Sequence, residues 1–299
     1  MDQKPVIQIR NLTKFYGKIT GVRNISFDVY QGEVFGFLGP NGAGKTTTIR
    51  LVLDLLRPSS GSIEVFGQNL VQNSSEIRGR CGYLPGNFSA YGNLNGIEFL
   101  HLCADLRNMP RKLDAGLLDR FGLTEINLGQ KIKYLSHGTL QKLGIVQAFF
   151  HHPELLILDE PTTGLDPLMQ ETFYDLLKEN MNRGCTIFLS SHNLTEVERI
   201  CHRLAIIRKG EIERVDSIEN LRKMLKKKLR FTLSQPAGDF LLPGAEYCSH
   251  QDLTYEYLIH GDIRIILEKL AELPVIDVLL PEPGLEEIFM NFYKDKADD

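Results

Sequence analysis

A glycine-rich segment carries the first residues that could do chemistry. Residues 39–46, Gly-Pro-Asn-Gly-Ala-Gly-Lys-Thr, have the spacing of a phosphate-binding loop, in which a glycine and four residues precede glycine, lysine and threonine. The glycines let backbone N–H groups turn inward around phosphate oxygens, and the helix expected to follow adds a favourable dipole. Lys45 would place a cation on the β and γ oxygens of a nucleotide, and the Thr46 hydroxyl would ligate Mg²⁺. The segment therefore predicts a nucleotide phosphate site.

Two acidic residues and a histidine follow two further apolar runs, at 155–158 and 186–189. Because ligands of open α/β sheets bind at the carboxyl ends of the strands, we expect these side chains to lie beside the glycine-rich loop. Asp159 would ligate Mg²⁺ directly or through water. Glu160 would orient or deprotonate a water that attacks the γ-phosphate, and His192 would hydrogen-bond a γ-phosphate oxygen.

The periodicity of apolar residues predicts the elements that hold these groups. The first thirty residues alternate between apolar and polar, which is typical of strands with one solvated face. Continuous apolar runs at 34–38, 155–158 and 186–189 predict buried parallel strands, and helical sequence flanks them. The residues from about 84 to 150 predict a largely helical insert. The expected fold class is therefore α/β.

A change in character after residue 214 predicts a second domain. A helical stretch at 218–225 leads to a basic junction at 226–230, followed by strands at 231–233, 253–259 and 275–280 and by helices at 263–273 and 285–293. We expect one domain at 1–225 and a small C-terminal α+β domain at 226–299.

Composition and charge argue against several classes of protein. The chain has 299 residues, and its 34 Lys and Arg against 38 Asp and Glu give a net charge of -4. Nucleic acid is not expected as a partner, because duplex binding needs a basic face. No apolar run approaches the roughly 20 residues that span a bilayer, and the start of the chain lacks a secretory signal, so a cytosolic location is expected. The five scattered cysteines are expected to be reduced.

Together these motifs resemble the ATP-binding subunits of ABC transporters, over nearly the whole chain. Residues 39–46 look like Walker A, 155–160 like Walker B with its catalytic glutamate, 164–166 like the D-loop, and His192 like the switch histidine. The most discriminating segment is 135–139, Leu-Ser-His-Gly-Thr, which resembles the LSGGQ signature with a histidine for the first glycine and a threonine for the glutamine. The resemblance implies a P-loop NTPase (RecA-like) core with an antiparallel β subdomain and a helical insert.

The resemblance also implies which residues bind ATP and Mg²⁺. In the family the signature segment closes on the ATP of a partner in a head-to-tail dimer, so Ser136 and Gly138 would bind in trans. Tyr16 matches the aromatic that stacks on adenine, although by itself it could equally be a core or surface aromatic beside a turn. The expected catalytic residues are Lys45, Glu160 and His192, and the expected Mg²⁺ ligands are Thr46 and Asp159. The expected nucleotide-binding residues are Tyr16, Gly39, Pro40, Asn41, Gly42, Ala43, Gly44, Lys45, Thr46, Thr47, Ser136 and Gly138.

Two further segments bear on coupling to a membrane partner. The family usually has a glutamine that touches Mg²⁺ and couples to the membrane subunit where this chain has Gly86. Residues 280–289 resemble the C-terminal segment of ABC ATPases that serve separate export permeases, including drug-resistance and sodium-extrusion systems. That segment could instead simply pack the domain.

The function expected from the resemblance is an ATPase that dimerises, with itself or a paralogue, around two ATP molecules. It would drive a separately encoded integral membrane permease, with export as the expected direction, from the cytoplasmic face of the membrane. One alternative is a soluble ABC protein acting on ribosomes or DNA, although such proteins usually carry two cassettes or a long coiled coil. Another is a nucleotide sensor without catalysis, against which the retained Glu160 and His192 argue.

Overall fold

The computed structural model describes residues 4–224, 227–237, 240–281 and 286. The strands of this part of the chain are β1 (Pro5–Tyr16), β2 (Ile19–Tyr30), β3 (Val34–Leu38), β4 (Ser60–Val65), β5 (Gln68–Asn69), β6 (Cys81–Leu84), β7 (Leu155–Asp159), β8 (Thr186–Ser191), β9 (Arg203–Arg208), β10 (Glu211–Ser217), β11 (Lys227–Leu233), β12 (Ala245–Gln251), β13 (Thr254–Ile259) and β14 (Val275–Leu279). Its helices are α1 (Lys45–Val52), α2 (Leu70–Gly79), α3 (Gly96–Leu106), α4 (Ala115–Arg120), α5 (Glu125–Gly129), α6 (His137–Phe149), α7 (Pro167–Asn182), α8 (Leu194–Ile200), α9 (Ile218–Met224) and α10 (Ile263–Ala271).

A six-stranded sheet forms the centre of the first part of the chain. Its order is β10-β9-β3-β8-β7-β6, and all neighbours are parallel except β10 and β9. Every residue of β3, β7 and β8 is buried, as continuous apolar runs require of strands covered on both faces. The register places Leu38 beside Ser191 and Asp159 beside Ser190. The carboxyl ends of β3, β8 and β7 therefore meet at one edge of the sheet.

An antiparallel sheet, ordered β2-β1-β4-β5, packs against the parallel one. Phe27 of β2 stacks on Phe35 and Phe37 of β3 with ring centroids 5.4 and 5.3 Å apart, and Phe188 of β8 joins the same cluster. Burying such a ring contributes about 1.5–3 kcal/mol. This aromatic core fixes the antiparallel sheet against the strands that lead into the glycine-rich loop.

The region expected to be largely helical contains α3 to α6, between β6 and β7. Polar residues cap these helices: Asn95 and Glu98 form a capping box at the start of α3, and Ser136 accepts a hydrogen bond from the backbone of Thr139 at the start of α6. No helix among the described residues is apolar enough over a sufficient length to cross a bilayer.

The chain divides into two compact units, the first ending at Ser217 and the second beginning at Ile218. Sequence reasoning placed this division after residue 225, whereas helix α9 groups with the second unit. The second unit has an antiparallel sheet ordered β12-β13-β11-β14, and its core contains Phe231 and Tyr257 of the sheet together with Ile266 of α10.

The second unit differs from its expected elements in two places. Strand β11 begins at Lys227, so most of the basic junction is strand rather than linker, and β12 was not foreseen. The reason for the second miss is that β12 lies at the sheet edge with mostly exposed polar side chains, so it lacks an apolar alternation. The expected helix at 285–293 lies, except for Glu286, outside the described residues.

Candidate nucleotide site

The glycine-rich loop joins β3 to α1, and space as well as conformation requires its glycines. Gly42 and Gly44 have φ of 80° and 110°, in the region that favours glycine. A Cβ atom at Gly44 would lie 2.7 Å from the carbonyl oxygen of Gly21, and one at Gly39 would lie 2.3 Å from that of Ile207. Neighbouring backbone therefore leaves no room for a side chain at Gly39 or Gly44.

Lys45, the first residue of α1, is only 6% exposed. Its Nζ donates hydrogen bonds to the carbonyl oxygens of Gly39 at 2.7 Å and Pro40 at 3.2 Å. The same atom lies 3.1 Å from Oε1 of Glu160. The loop thus folds over a buried ammonium group, which is placed to face phosphate oxygens held by the loop.

Thr46 and Asp159 meet as the motifs predict. The Thr46 hydroxyl donates to Oδ2 of Asp159 at 2.7 Å, although 113 residues separate the two in sequence. Asp159 is 2% exposed, and its Oδ1 accepts a hydrogen bond from the Ser190 hydroxyl. The donor set is a hydroxyl beside a carboxylate, two hard oxygen ligands of the kind that Mg²⁺ prefers. These residues fit a Mg²⁺ ion.

Glu160 and His192 form a close pair at the ends of β7 and β8. Nδ1 of His192 lies 2.6 Å from Oε2 of Glu160, and the backbone N–H of His192 donates to the same oxygen at 3.3 Å. Glu160 has φ of 49°, uncommon for a residue with a side chain, and its N–H donates to the Ser190 carbonyl oxygen at 3.1 Å. A carboxylate held by both Lys45 and His192 can accept a proton beside bound phosphates.

A cleft of about 320 Å³ opens beside the loop. Tyr16 lines it with 42% of its surface exposed, and its hydroxyl lies 3.4 Å from Oγ1 of Thr47. The exposed ring is available for stacking on a base. The residues lining the cleft are Tyr16, Ile19, Thr20, Gly21, Pro40, Asn41, Gly42, Gly44, Lys45, Thr46, Thr47 and Glu160.

Ser136 and Gly138 do not join this cleft within one chain, since neither is among the described residues that line it. Ser136 instead caps α6: its Oγ accepts from the Thr139 N–H at 3.2 Å. The ring of His137 packs on Gly164, where an added Cβ atom would lie 2.6 Å from the imidazole Cδ2. The signature segment is therefore packed against the turn that follows Glu160.

Gly86 lies directly against Asp159, the last residue of β7. A Cβ atom at this position would lie 3.1 Å from the carbonyl oxygen of Asp159, tighter than ordinary van der Waals contact. The segment that carries a glutamine in the family thus approaches Asp159 closely here with backbone alone.

Sequence reasoning gave no role to Ser190 or Glu196. Ser190 bridges the site, since its hydroxyl donates to Asp159 and its carbonyl oxygen accepts from Glu160. Glu196 is 3% exposed, and burial raises the pKa of its carboxyl group above its ordinary value. A hydroxyl directly after the apolar residues 187–189 was the available signal for Ser190, whereas nothing local distinguishes Glu196 from an exposed helical glutamate.

Comparison with known proteins agrees with this geometry. The family model described as ABC transporter matches residues 22–163. The bacitracin transport ATP-binding protein BcrA of Bacillus licheniformis is 36% identical over 303 residues, covering 98% of this chain and 95% of that protein. The linearmycin resistance ATP-binding protein LnrL of Bacillus subtilis (strain 168) is 32% identical, covering 96% and 97%.

One solved structure extends the comparison to the fold. A dimeric ATP-binding cassette in a post-hydrolysis state, bound to ADP and Pi, matches with a TM-score of 0.65 and 23% identity. The match covers 71% of this chain and 98% of that one, and it shows a shared fold.

Proposed function

The chain belongs to the ABC transporter family of ATP-binding subunits, and from that premise we propose which residues bind and hydrolyse ATP and what the subunit drives. The observation that carries the proposal is the meeting of Lys45, Thr46, Asp159, Glu160 and His192 at one edge of the parallel sheet. Lys45, Glu160 and His192 are linked by contacts of 3.1 and 2.6 Å, and Thr46 and Asp159 by 2.7 Å.

Each of these groups has a distinct part in hydrolysis. The loop N–H groups and Lys45 bind the phosphates, and Tyr16 stacks on the adenine. Thr46 and Asp159 would hold Mg²⁺, and the ion would neutralise charge on the phosphates. Glu160 accepts a proton from the attacking water through its carboxylate, and His192 orients that carboxylate and the γ-phosphate.

A second copy, or a paralogue, completes the site. Ser136 and Gly138 lie outside the cleft of their own chain, at the start of α6, where the Ser136 hydroxyl and helix N–H groups can donate to phosphate. The structurally similar ATP-binding cassette is a dimer, which supports this arrangement. Tighter binding of ATP to the closed dimer than to the open one would supply the energy for switching.

The subunit drives a separate membrane permease from the cytoplasmic face, and the direction of transport is export. The relatives named for bacitracin transport and linearmycin resistance support this proposal, because both align with nearly all of the chain. The alternative of action on ribosomes or DNA receives no support from these names or from the acidic composition.

The full-length Glu160→Gln variant tests the dimer and its site together. With ATP and Mg²⁺ it should sediment as a dimer that turns over little, whereas Ser136→Arg in the same background should remain monomeric and still bind ATP. Recovery of an integral membrane protein with the wild-type chain in mild detergent supports the permease. A Glu160→Gln chain that stays monomeric with ATP, or wild-type chain that co-sediments with ribosomes instead, contradicts the proposal.

A further inference from the structure

The proposed mechanism leaves one buried carboxyl group unused. Glu196 lies in the first turn of α8, four residues after His192 in sequence, and is 3% exposed. Carboxylic side chains are almost never so deeply buried unless they are paired. A leucine would fill such a position without the cost of removing a polar group from water. The contacts of the carboxyl group should therefore explain why it is there.

Those contacts join the ends of two strands. Oε2 of Glu196 lies 2.5 Å from the hydroxyl of Ser191, the last residue of β8. The side chain of Thr162, in the turn that follows β7, faces the same carboxyl group. Among the described atoms, Oε1 has no hydrogen-bond partner at normal distance. The carboxyl group thus lies between the two chain segments that leave β7 and β8.

These two segments carry the reacting pair. Glu160 lies two residues before Thr162, and His192 directly follows Ser191. The Ser191 carbonyl oxygen also accepts a hydrogen bond from the Gly39 N–H at 3.3 Å, which connects the same residue to the start of the phosphate loop. Movement of Ser191 would therefore displace both His192 and the loop.

Helix α6 also holds the turn that contains Pro161 and Thr162. Gln141 of α6 is 1% exposed, and its Nε2 donates to the carbonyl oxygen of Pro161 at 2.9 Å. Hydrogen bonds therefore hold both sides of the Glu196 carboxyl group: α6 holds the Pro161 carbonyl oxygen of the turn, and Glu196 holds Ser191. Buried links of this kind are costly to break, because each leaves an unsatisfied polar group.

We propose that Glu196 is a positioning residue: it holds Ser191 by a hydrogen bond, beside the turn that follows Glu160, and so sets the separation of Glu160 from His192. The inference rests on the proposed roles of those two residues. Glu196 is not among the described residues that line the cleft beside the loop. It acts by holding the carboxylate and the imidazole in the geometry that proton transfer needs, where a small displacement lowers the rate strongly.

The test compares Glu196→Leu with Glu196→Gln in the full-length chain, with kcat, KM for ATP and the melting temperature measured for each. Leucine keeps the volume and removes both contacts, so kcat should fall roughly 10- to 100-fold while KM changes by less than about twofold and the melting temperature holds or rises. Glutamine keeps an acceptor for the Ser191 hydroxyl, so its kcat should stay within about threefold of wild type.

Two further variants complete the design. Ser191→Ala cuts the same link from the other side and should lower kcat in the same direction, which keeps the test decisive if the leucine variant does not fold. Glu171→Ala is the matched control, because this exposed carboxylate of α7 pairs with Arg199, which lies on α8 with Glu196, and its loss should leave kcat unchanged.

The outcomes separate this inference from the proposed function. Wild-type kcat in Glu196→Leu, or equal losses in Glu196→Leu and Glu196→Gln, overturns the positioning role alone. Parallel loss of kcat and melting temperature across the series also overturns it, since that pattern is structural. Turnover that survives Glu160→Gln overturns the proposed function and this inference with it.

Discussion

The two edges of the parallel sheet use their polar residues in opposite ways. At the carboxyl edge, side chains from different strands bind one another: Thr46 and Ser190 both donate to Asp159, and Glu160 lies between Lys45 and His192. Most of these groups are held by other side chains, which ligands or water can replace.

At the amino edge, polar side chains bind to backbone carbonyl oxygens or to exposed side chains. Arg107 donates to the carbonyl oxygens of Gly79 and Cys81, and the His151 ring lies 3.1 Å from the latter oxygen. Arg80 and Glu154 form a paired salt bridge at the surface. Burial raises the pKa of the Cys81 thiol to about 12 and is the main cause that lowers the pKa of His151 to about 4.

The contrast shows what distinguishes a reactive edge from a structural one in a single sheet. Buried polar groups occur at both, so burial alone does not mark the site. At the carboxyl edge most partners are other side chains, charged or hydroxyl-bearing, brought together by the parallel direction of β3, β7 and β8. At the amino edge, backbone carbonyl oxygens accept the hydrogen bonds of Arg107, and Arg80 pairs with Glu154 at the surface.

The largest contrast should come from a Gly→Ala pair, one at each edge. Gly44→Ala forces a Cβ atom to 2.7 Å from a carbonyl oxygen at φ of 110°. Strain of about 2–3 kcal/mol should weaken ATP binding roughly 30- to 150-fold. Gly79 ends α2 with no neighbour within 4 Å of its added Cβ, so Gly79→Ala should bind ATP normally.

Equilibrium titration with a fluorescent ATP analogue measures both variants. Equal affinity in Gly44→Ala and wild type would show that the loop geometry does not control nucleotide binding.

A smaller effect is expected where the signature segment meets the D-loop. Gly164 has φ of 80°, and its added Cβ would lie 2.6 Å from the His137 ring. Gly164→Ala should therefore displace that ring and lower kcat about tenfold. The double variant with His137→Gly should recover part of this loss in a phosphate-release assay. No difference between the single and double variants would contradict the packing argument.

The smallest effect concerns stability at the amino edge. Because the pKa of His151 falls from 6.5 to about 4 in the folded chain, the unfolded chain binds the proton first as pH decreases. The contribution of the neutral His151 ring to the free energy of unfolding is complete above about pH 6.5 and is lost as the pH falls toward about 4. Between about pH 7.5 and 5 the wild-type chain should lose more of its free energy of unfolding than His151→Gln does. After allowance for partial exposure of the ring, the difference should be about 1 kcal/mol.

Urea unfolding followed by circular dichroism at the two pH values measures that difference. Identical losses in wild type and His151→Gln would mean that the ring does not titrate differently on folding.

Sequence reasoning reached the fold class and the family, and both are confirmed. Three apolar runs were enough to predict β3, β7 and β8, because fully buried parallel strands have few polar residues. The rule that ligands bind at carboxyl ends then placed Lys45 and Glu160 together, and their contact is 3.1 Å.

What local patterns could not predict depends on contacts between distant segments. Glu196 occupies an ordinary position in a polar-looking helix, and only tertiary packing buries it. Packing of His137 on Gly164 joins segments far apart in the chain. Strand β12 is held by pairing with β13 rather than by an apolar face, so its residues give no periodic signal.

ATP turnover by the full-length chain, measured in parallel for Glu160→Gln and Glu154→Gln, tests the central claim most directly. Each variant neutralises one of the two glutamates that flank β7: Glu154 precedes the strand at the amino edge, and Glu160 follows it at the carboxyl edge. We expect Glu160→Gln to lower turnover about 100-fold or more while ATP still binds, and Glu154→Gln to match wild type. Wild-type turnover in Glu160→Gln, or equal losses in both variants, would contradict a catalytic site at the carboxyl edge.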